Sequence, residues 1–151
     1  MRRRENTFKK YLFSVMGRSW HAQSHEDALS EGIPDLSYGI DGVNGWIELK
    51  QIDNFPVRPE TKMKPKKYTV EQVNWLVKRG KKGGKCFVMV KIGNYDYYIF
   101  NWNKAHMVRE GMTQEEYKKE CIKHWHKQVE HAYLRMVLTS PDALWRSQPE
   151  P

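Results

Sequence analysis

The sequence predicts an α/β fold, a central sheet with helices packed on it, and three observations carry that reading. Residues 46–52 (WIELKQI) alternate with the period of two that marks a strand. Thr69-Val70-Glu71-Gln72 is a capping box opening an amphipathic helix, which Gly80 and Gly83-Gly84 end. Residues 85–92 (KCFVMVKI) and 95–101 (YDYYIFN) are rich in β-branched and aromatic side chains. Gly93-Asn94 between them is a two-residue turn, so they read as a hairpin.

The remaining elements follow in order. Phe8, Leu12, Phe13 and Val15 or Met16 recur at near-helical spacing, predicting a first helix from Glu5 to Met16, with Asn6 and Thr7 as starters and Gly17 as the stop. A short strand is expected at 19–23, then a charged loop or helical turn at 25–31. Gly32 and Pro34 forbid a continuing helix. Asp41-Gly42-Val43-Asn44-Gly45 tolerates positive φ and suits a hairpin that returns Asp35 toward Glu48. Trp46, Glu48 and Lys50 then share one strand face, with Ile47, Leu49 and Ile52 assigned to the other. Residues 53–68 carry three prolines and no apolar period, and an exposed loop is expected. Residues 102–111 read as a connection. A second capping box, Thr113-Gln114-Glu115-Glu116, predicts one long helix over 113–138. Its apolar stripe is Tyr117, Cys121, Trp125, Val129, Ala132 and Met136, which would dock on the sheet or on another subunit. Residues 139–151 form a tail.

The 151 residues suit one domain, 1–138, with a core over about 1–101 and a helical extension over about 113–138. No apolar run approaches the roughly 18 residues that span a bilayer, and the arginine-led start lacks a signal-peptide h-region. No membrane association is expected. Cys86 and Cys121 make no disulfide framework and predict free thiols in a reducing, cytoplasmic setting.

Twenty-six basic residues against eighteen acidic ones give a net charge of +8. Charge of this kind speaks about partners rather than fold, and nucleic acid is the leading inference over mere solubility. The basic residues cluster: Arg58, Lys62, Lys64, Lys66 and Lys67, then Lys78, Arg79, Lys81 and Lys82, with Lys85 beyond. Both groups are expected to grip phosphates. Six tryptophans are interleaved; Trp75, Trp102 and Trp145 are the candidates for exposed rings that stack on unpaired bases. His124, His126 and His131 do not make a zinc site, since no further cysteine or histidine has the usual close spacing and Cys121 belongs to the apolar stripe.

Chemistry concentrates in Gly32-Ile33-Pro34-Asp35 and, after a gap of twelve residues, Glu48-Leu49-Lys50. Two carboxylates and a lysine that converge can hold a hard divalent cation beside a positive charge. With the order helix, strand, hairpin, helix, hairpin, these residues resemble the PD-(D/E)xK nuclease superfamily, most of all VRR-NUC domains and archaeal-type Holliday junction resolvases. The resemblance covers residues 1–101. It implies a restriction-endonuclease-like αβββαβ core with a mixed central sheet flanked by helices, here followed by a C-terminal helix. It further implies a magnesium-dependent deoxyribonuclease, with manganese able to substitute, acting on DNA that includes branched structures. A nucleic-acid-binding protein that keeps the fold without cutting is the alternative, and intact Asp35, Glu48 and Lys50 argue against it.

By resemblance, Asp35, Glu48 and the Leu49 carbonyl are metal ligands, and Lys50 positions or deprotonates the attacking water or stabilises the developing charge. Glu5 is the candidate carboxylate for a second metal, although a glutamate in a helix's first turn is favourable by itself. Gln72 is the further catalytic-site residue, although the capping box already accounts for it. A homodimer pairing two active sites is also implied.

Overall fold

The computed structural model describes residues 2–25 and 32–141, and of residues 2–6 the backbone only. Over them run α1 (Arg2–Met16), β1 (His21–Ser24), β2 (Leu36–Ile40), β3 (Val43–Ile52), α2 (Val70–Lys81), β4 (Lys85–Ile92) and β5 (Asp96–Asn101). A 3-10 turn at Trp102–Lys104 leads into α3 (Ala105–Glu110), α4 (Gln114–Glu120), β6 (Lys123–His126) and α5 (His131–Thr139). The strands form one mixed sheet in sequence order. Only β3 and β4 are parallel, because α2 lies between them as the crossover a parallel pair requires. The first six elements are thus the expected αβββαβ core.

Strand alternation assigns the two faces. Leu36, Tyr38, Ile47, Leu49, Phe87 and Met89 bury against Phe8, Leu12 and Met16 of α1 and Leu134 and Leu138 of α5. Val88, Val90, Tyr98 and Phe100 bury against Val73 and Leu76 of α2, Ala105 and Val108 of α3, and Tyr117 of α4. Each fully buried aliphatic side chain contributes roughly 1.5–3 kcal/mol. Ile52 packs with the second group, not with Ile47 and Leu49. A period of two puts residue 52 with 46, 48 and 50.

Turn chemistry sets the registers. The β2–β3 hairpin turns on Asp41 (φ 53°) and Gly42 (φ 77°) alone, and residues 43–45 already belong to β3. Between β4 and β5 the turn has three residues, with Ile92 opposite Asp96, so Tyr95 lies outside the strand. The first helix begins at Arg2, earlier than its apolar spacing indicated.

The single helix expected over 113–138 is instead α4, β6 and α5. Cys121 caps α4 in an extended conformation, and the Ile122 amide donates to the Ile99 carbonyl at 2.7 Å, starting the pairing of β6 with β5. His124 and His126 both contact Asp96 of β5, while Trp125 is buried on the other face. Lys127 (φ 76°) then turns the chain. Tyr117, Trp125 and Val129 of the expected stripe are spent inside this fold, and Ala132 and Met136 are exposed. The stripe is therefore not one continuous helix face. His131 sits on α5 against Trp20, on a different element from His124.

The 53–68 loop is not simply exposed. Met63 exchanges backbone hydrogen bonds with Met112 at 2.7 and 3.0 Å, and Pro65 and Tyr68 are buried with it. Trp102 is buried too, against Gly80, where an added Cβ would stand 2.3 Å from the indole. Trp102 is thus no stacking candidate, and Trp145 lies outside the described residues.

Candidate active site

The site is assembled at the start of β2, beyond which β3 runs on from Glu48 to Ile52 without it. Continuing the β1–β2 and β2–β3 registers one residue past the paired strands sets His25 opposite Asp35 and Asp35 opposite Glu48. The His25 amide indeed donates to the Asp35 carbonyl at 2.9 Å. One residue further comes Pro34, which has no N–H to continue the ladder. The Leu49 amide turns to the side chain of Asp35 and donates to Oδ2 at 2.8 Å. Gly32, at φ 86°, lets this segment lie against the first turn of α2, where an added Cβ would stand 2.5 Å from the Glu71 carbonyl.

Glu48 is 1% exposed, and neither of its carboxylate oxygens receives a hydrogen bond among the described residues. Lys50 Nζ stands 3.1 Å from Oε2 as an ion pair without hydrogen-bonding alignment. Burial, and secondarily the Asp35 carboxylate, pushes the Glu48 carboxyl up to about 8, against the opposing pull of Lys50. A buried carboxylate is costly unless a cation or a proton compensates it, and Lys50 compensates this one in part. This donor set, two carboxylates beside the Leu49 main chain, fits a hard divalent cation.

Lys50 is held more tightly than a surface lysine. Its Nζ donates to Gln72 Oε1 and to the Lys67 carbonyl, both at 2.9 Å, and lies 4.8 Å from the Tyr68 ring centre. Gln72 Oε1 also accepts from the Thr69 amide at 3.0 Å. One oxygen thus serves both the cap and the lysine, so the capping role and the site role of Gln72 coexist. Tyr68 closes over the site, and burial, with Glu48 and Asp35 next, holds its phenol above the usual range.

The other expected residues fall in three places. Lys64, Lys66 and Lys67 are exposed and rim a cleft of about 680 Å³ that also includes Leu49 and Lys50. Arg58 and Lys62 are exposed outside that rim, with Lys62 near Glu116 of α4. Lys78, Arg79, Lys81 and Lys82 are exposed at the far end of α2; Arg79 is about 10 Å along the axis from Gln72 at ~1.5 Å per residue. The two basic groups thus flank opposite ends of the helix. The side chain of Glu5 lies outside the described residues. His25 and Tyr68 carry no local sequence signal that marks them as site residues. What could have found His25 is its place in the strand register, which needs the pairing to be known.

No family model matches the sequence, and no curated protein matches it either. Among solved structures, the chain is similar to the Holliday junction resolvase Hjc of Archaeoglobus fulgidus, an archaeal hyperthermophile. The TM-score is 0.51 at 18% sequence identity, covering 79% of this chain and 93% of that one. Its mixed sheet flanked by helices is therefore similar to the fold of that nuclease.

Proposed function

We propose that this protein is a magnesium-dependent endonuclease that hydrolyses DNA phosphodiester bonds, with branched or otherwise structured DNA as its substrate. The observation that carries the reading is the convergence of Asp35, Glu48 and Lys50 at the start of β2, with the buried Glu48 carboxylate 3.1 Å from the lysine ammonium. The similar structure is of a Holliday junction resolvase, which supports the substrate class. The finer likeness to VRR-NUC domains rests on the PD and ExK residues.

Asp35, Glu48 and the Leu49 carbonyl would hold Mg2+, or Mn2+ in its place. When bound, the ion supplies Lewis acidity at a phosphate oxygen and acidifies a water. The chain's own residues do the rest. Gln72 and the Lys67 carbonyl fix Lys50 through two of its three donors. The third, now facing Glu48, is the one available to the attacking water or the developing phosphorane charge. Lys64, Lys66 and Lys67 at the rim neutralise flanking phosphates. A homodimer belongs to the same reading, and sedimentation velocity checks it.

The test is incubation with supercoiled, linear, single-stranded and four-way-junction DNA, with magnesium and with EDTA. Magnesium-dependent cleavage favouring the junction is expected, and Asp35→Ala and Glu48→Ala should abolish it. Cleavage by neither the protein nor its manganese-loaded form, with DNA binding intact, would instead establish a non-cutting binder.

A further inference from the structure

Beside the carboxylates, the sheet presents a surface that the phosphodiester chemistry does not use. The registers place Gln23, Ser37 and Trp46 in one cross-strand row, and His21, Gly39 and Asn44 in the row two residues further from Glu48. Both rows lie on the α2 side, where side chains two apart along a strand share a face. His21, Gln23 and Asn44 are exposed and Ser37 is half-buried.

Aromatic groups gather at its inner border. The Trp46 ring lies 5.0 Å from that of His25 and 5.0 Å from that of Trp75, the latter pair edge to face. His25 is fixed by a 2.7 Å hydrogen bond between Nε2 and Ser37 Oγ. Arg79, one helical turn beyond Trp75, lays its guanidinium 4.7 Å from the Trp75 ring centre and 5.6 Å from that of Trp46. Gly84 leaves room for the arginine's stem, since an added Cβ would stand 2.7 Å from its Cγ. Trp46, Trp75 and His25 are each only half-buried.

We infer that His25, Trp46, Trp75 and Arg79 form a binding site for an unpaired nucleotide of the DNA strand adjoining the scissile phosphate. The inference deepens the proposed nuclease reading and rests on it for the position of that phosphate. Trp46 is two residues from Glu48 on the same face of β3, about 7 Å at ~3.3 Å per residue. A nucleotide next to the bond held at Asp35 and Glu48 therefore falls on this surface. A base in a duplex is stacked on its neighbours and has no free π-face to offer, whereas an unpaired base does. Arg79, pre-oriented on two indoles, keeps its N–H edge for a phosphate. Lys78, Lys81 and Lys82 add charge complementary to a strand leaving the site. The substrate class is DNA with unpaired nucleotides beside the cut, such as a junction, gap or flap, rather than continuous duplex.

The test is metal-free binding, in EDTA, by anisotropy with three labelled probes: a duplex, the same duplex with a short gap, and oligothymidylate. Wild type should prefer the gapped probe and oligothymidylate, and tryptophan fluorescence should be quenched on binding. Trp46→Ala and Trp75→Ala should weaken those two probes by roughly tenfold and leave the duplex almost unchanged. Trp46→Phe, which keeps a ring, should retain most of the preference and guards against a folding artefact. Arg79→Ala, an exposed position, should weaken all three and reduce the preference. Equal losses on all probes in the two tryptophan-to-alanine variants, no loss in them, or no preference in wild type would overturn the inference. Magnesium-dependent cleavage of the same probes is read separately. Selective loss of gapped-probe binding without any cleavage would sustain this site and remove the nuclease reading; cleavage with unselective binding would do the reverse.

Discussion

Gln72 and Lys50 share one hydrogen bond: Oε1 of the glutamine accepts from the lysine Nζ at 2.9 Å while accepting from the Thr69 amide at 3.0 Å. The start of a helix thereby orients the lysine of the candidate site. Gln72→Ala should lose the acceptor of the Thr69 amide while keeping the Thr69 hydroxyl cap, and lower single-turnover cleavage by roughly 10- to 100-fold, as loss of an orienting partner does. Gln72→Glu keeps the capping geometry and should retain the melting temperature while adding a third carboxylate beside Lys50. Thermal melts and single-turnover rates on one junction substrate separate the two roles. Equal rates in Gln72→Ala and wild type would leave the residue as a cap only.

Glu48 makes the metal-free protein sensitive to pH. Its folded-state value, raised to about 8 by burial first and Asp35 second, lies above its unfolded value near 4.5. The associated stability is fully present below about 4.5 and is lost as pH rises through about 8, at about 1.4 kcal/mol per unit at most. In EDTA, wild type should therefore lose stability relative to Glu48→Gln across that window, with parallel curves above it. Asp35→Asn should lower the upper limit by removing the neighbouring charge. Denaturant melts of the three proteins across the window check this, and a constant difference between wild type and Glu48→Gln would refute it.

Metal uptake should release a proton in the same window, because the ligand form of Glu48 is the carboxylate. Lys50→Ala should still bind manganese, since an ammonium is no ligand, while losing most of its turnover. Calorimetric titration in buffers of different ionisation enthalpy measures both the affinity and the proton. Loss of manganese binding by a folded Lys50→Ala protein would make the lysine structural.

The two halves of the basic loop should behave differently. Replacing Lys64, Lys66 and Lys67 by alanine should flatten the slope of log affinity against log salt, by about 0.9 for each duplex-DNA phosphate that is no longer neutralised. Lys62→Ala, beside Glu116 and off the cleft rim, should barely move it. Binding should weaken alike for every sequence, with the cut position unchanged. An unaltered slope in the triple variant would mean that the rim lysines touch no phosphate.

What the sequence by itself determined was whatever is encoded locally. Period-two alternation gave the faces of β3, two capping boxes gave the starts of α2 and α4, and Asp41-Gly42 gave the central hairpin, because each depends on neighbours along the chain. The PD and ExK pair was legible for the same reason, since a hairpin converts a sequence gap into adjacency. Tertiary structure decided what depends on long-range partners. Tyr117, Cys121 and Trp125 step by four as a helix would, but KHWH also alternates, and the free edge of β5 with Asp96 chose the strand. Met63 is apolar in a polar loop, and only its pairing with Met112 shows why that loop lies down on the fold and brings the Lys67 carbonyl to Lys50. His25 beside Asp35, and Arg79 on Trp46, are separated by ten to thirty-three residues in sequence. Cross-strand register and the crossover of α2 bring them together, and no local pattern encodes either.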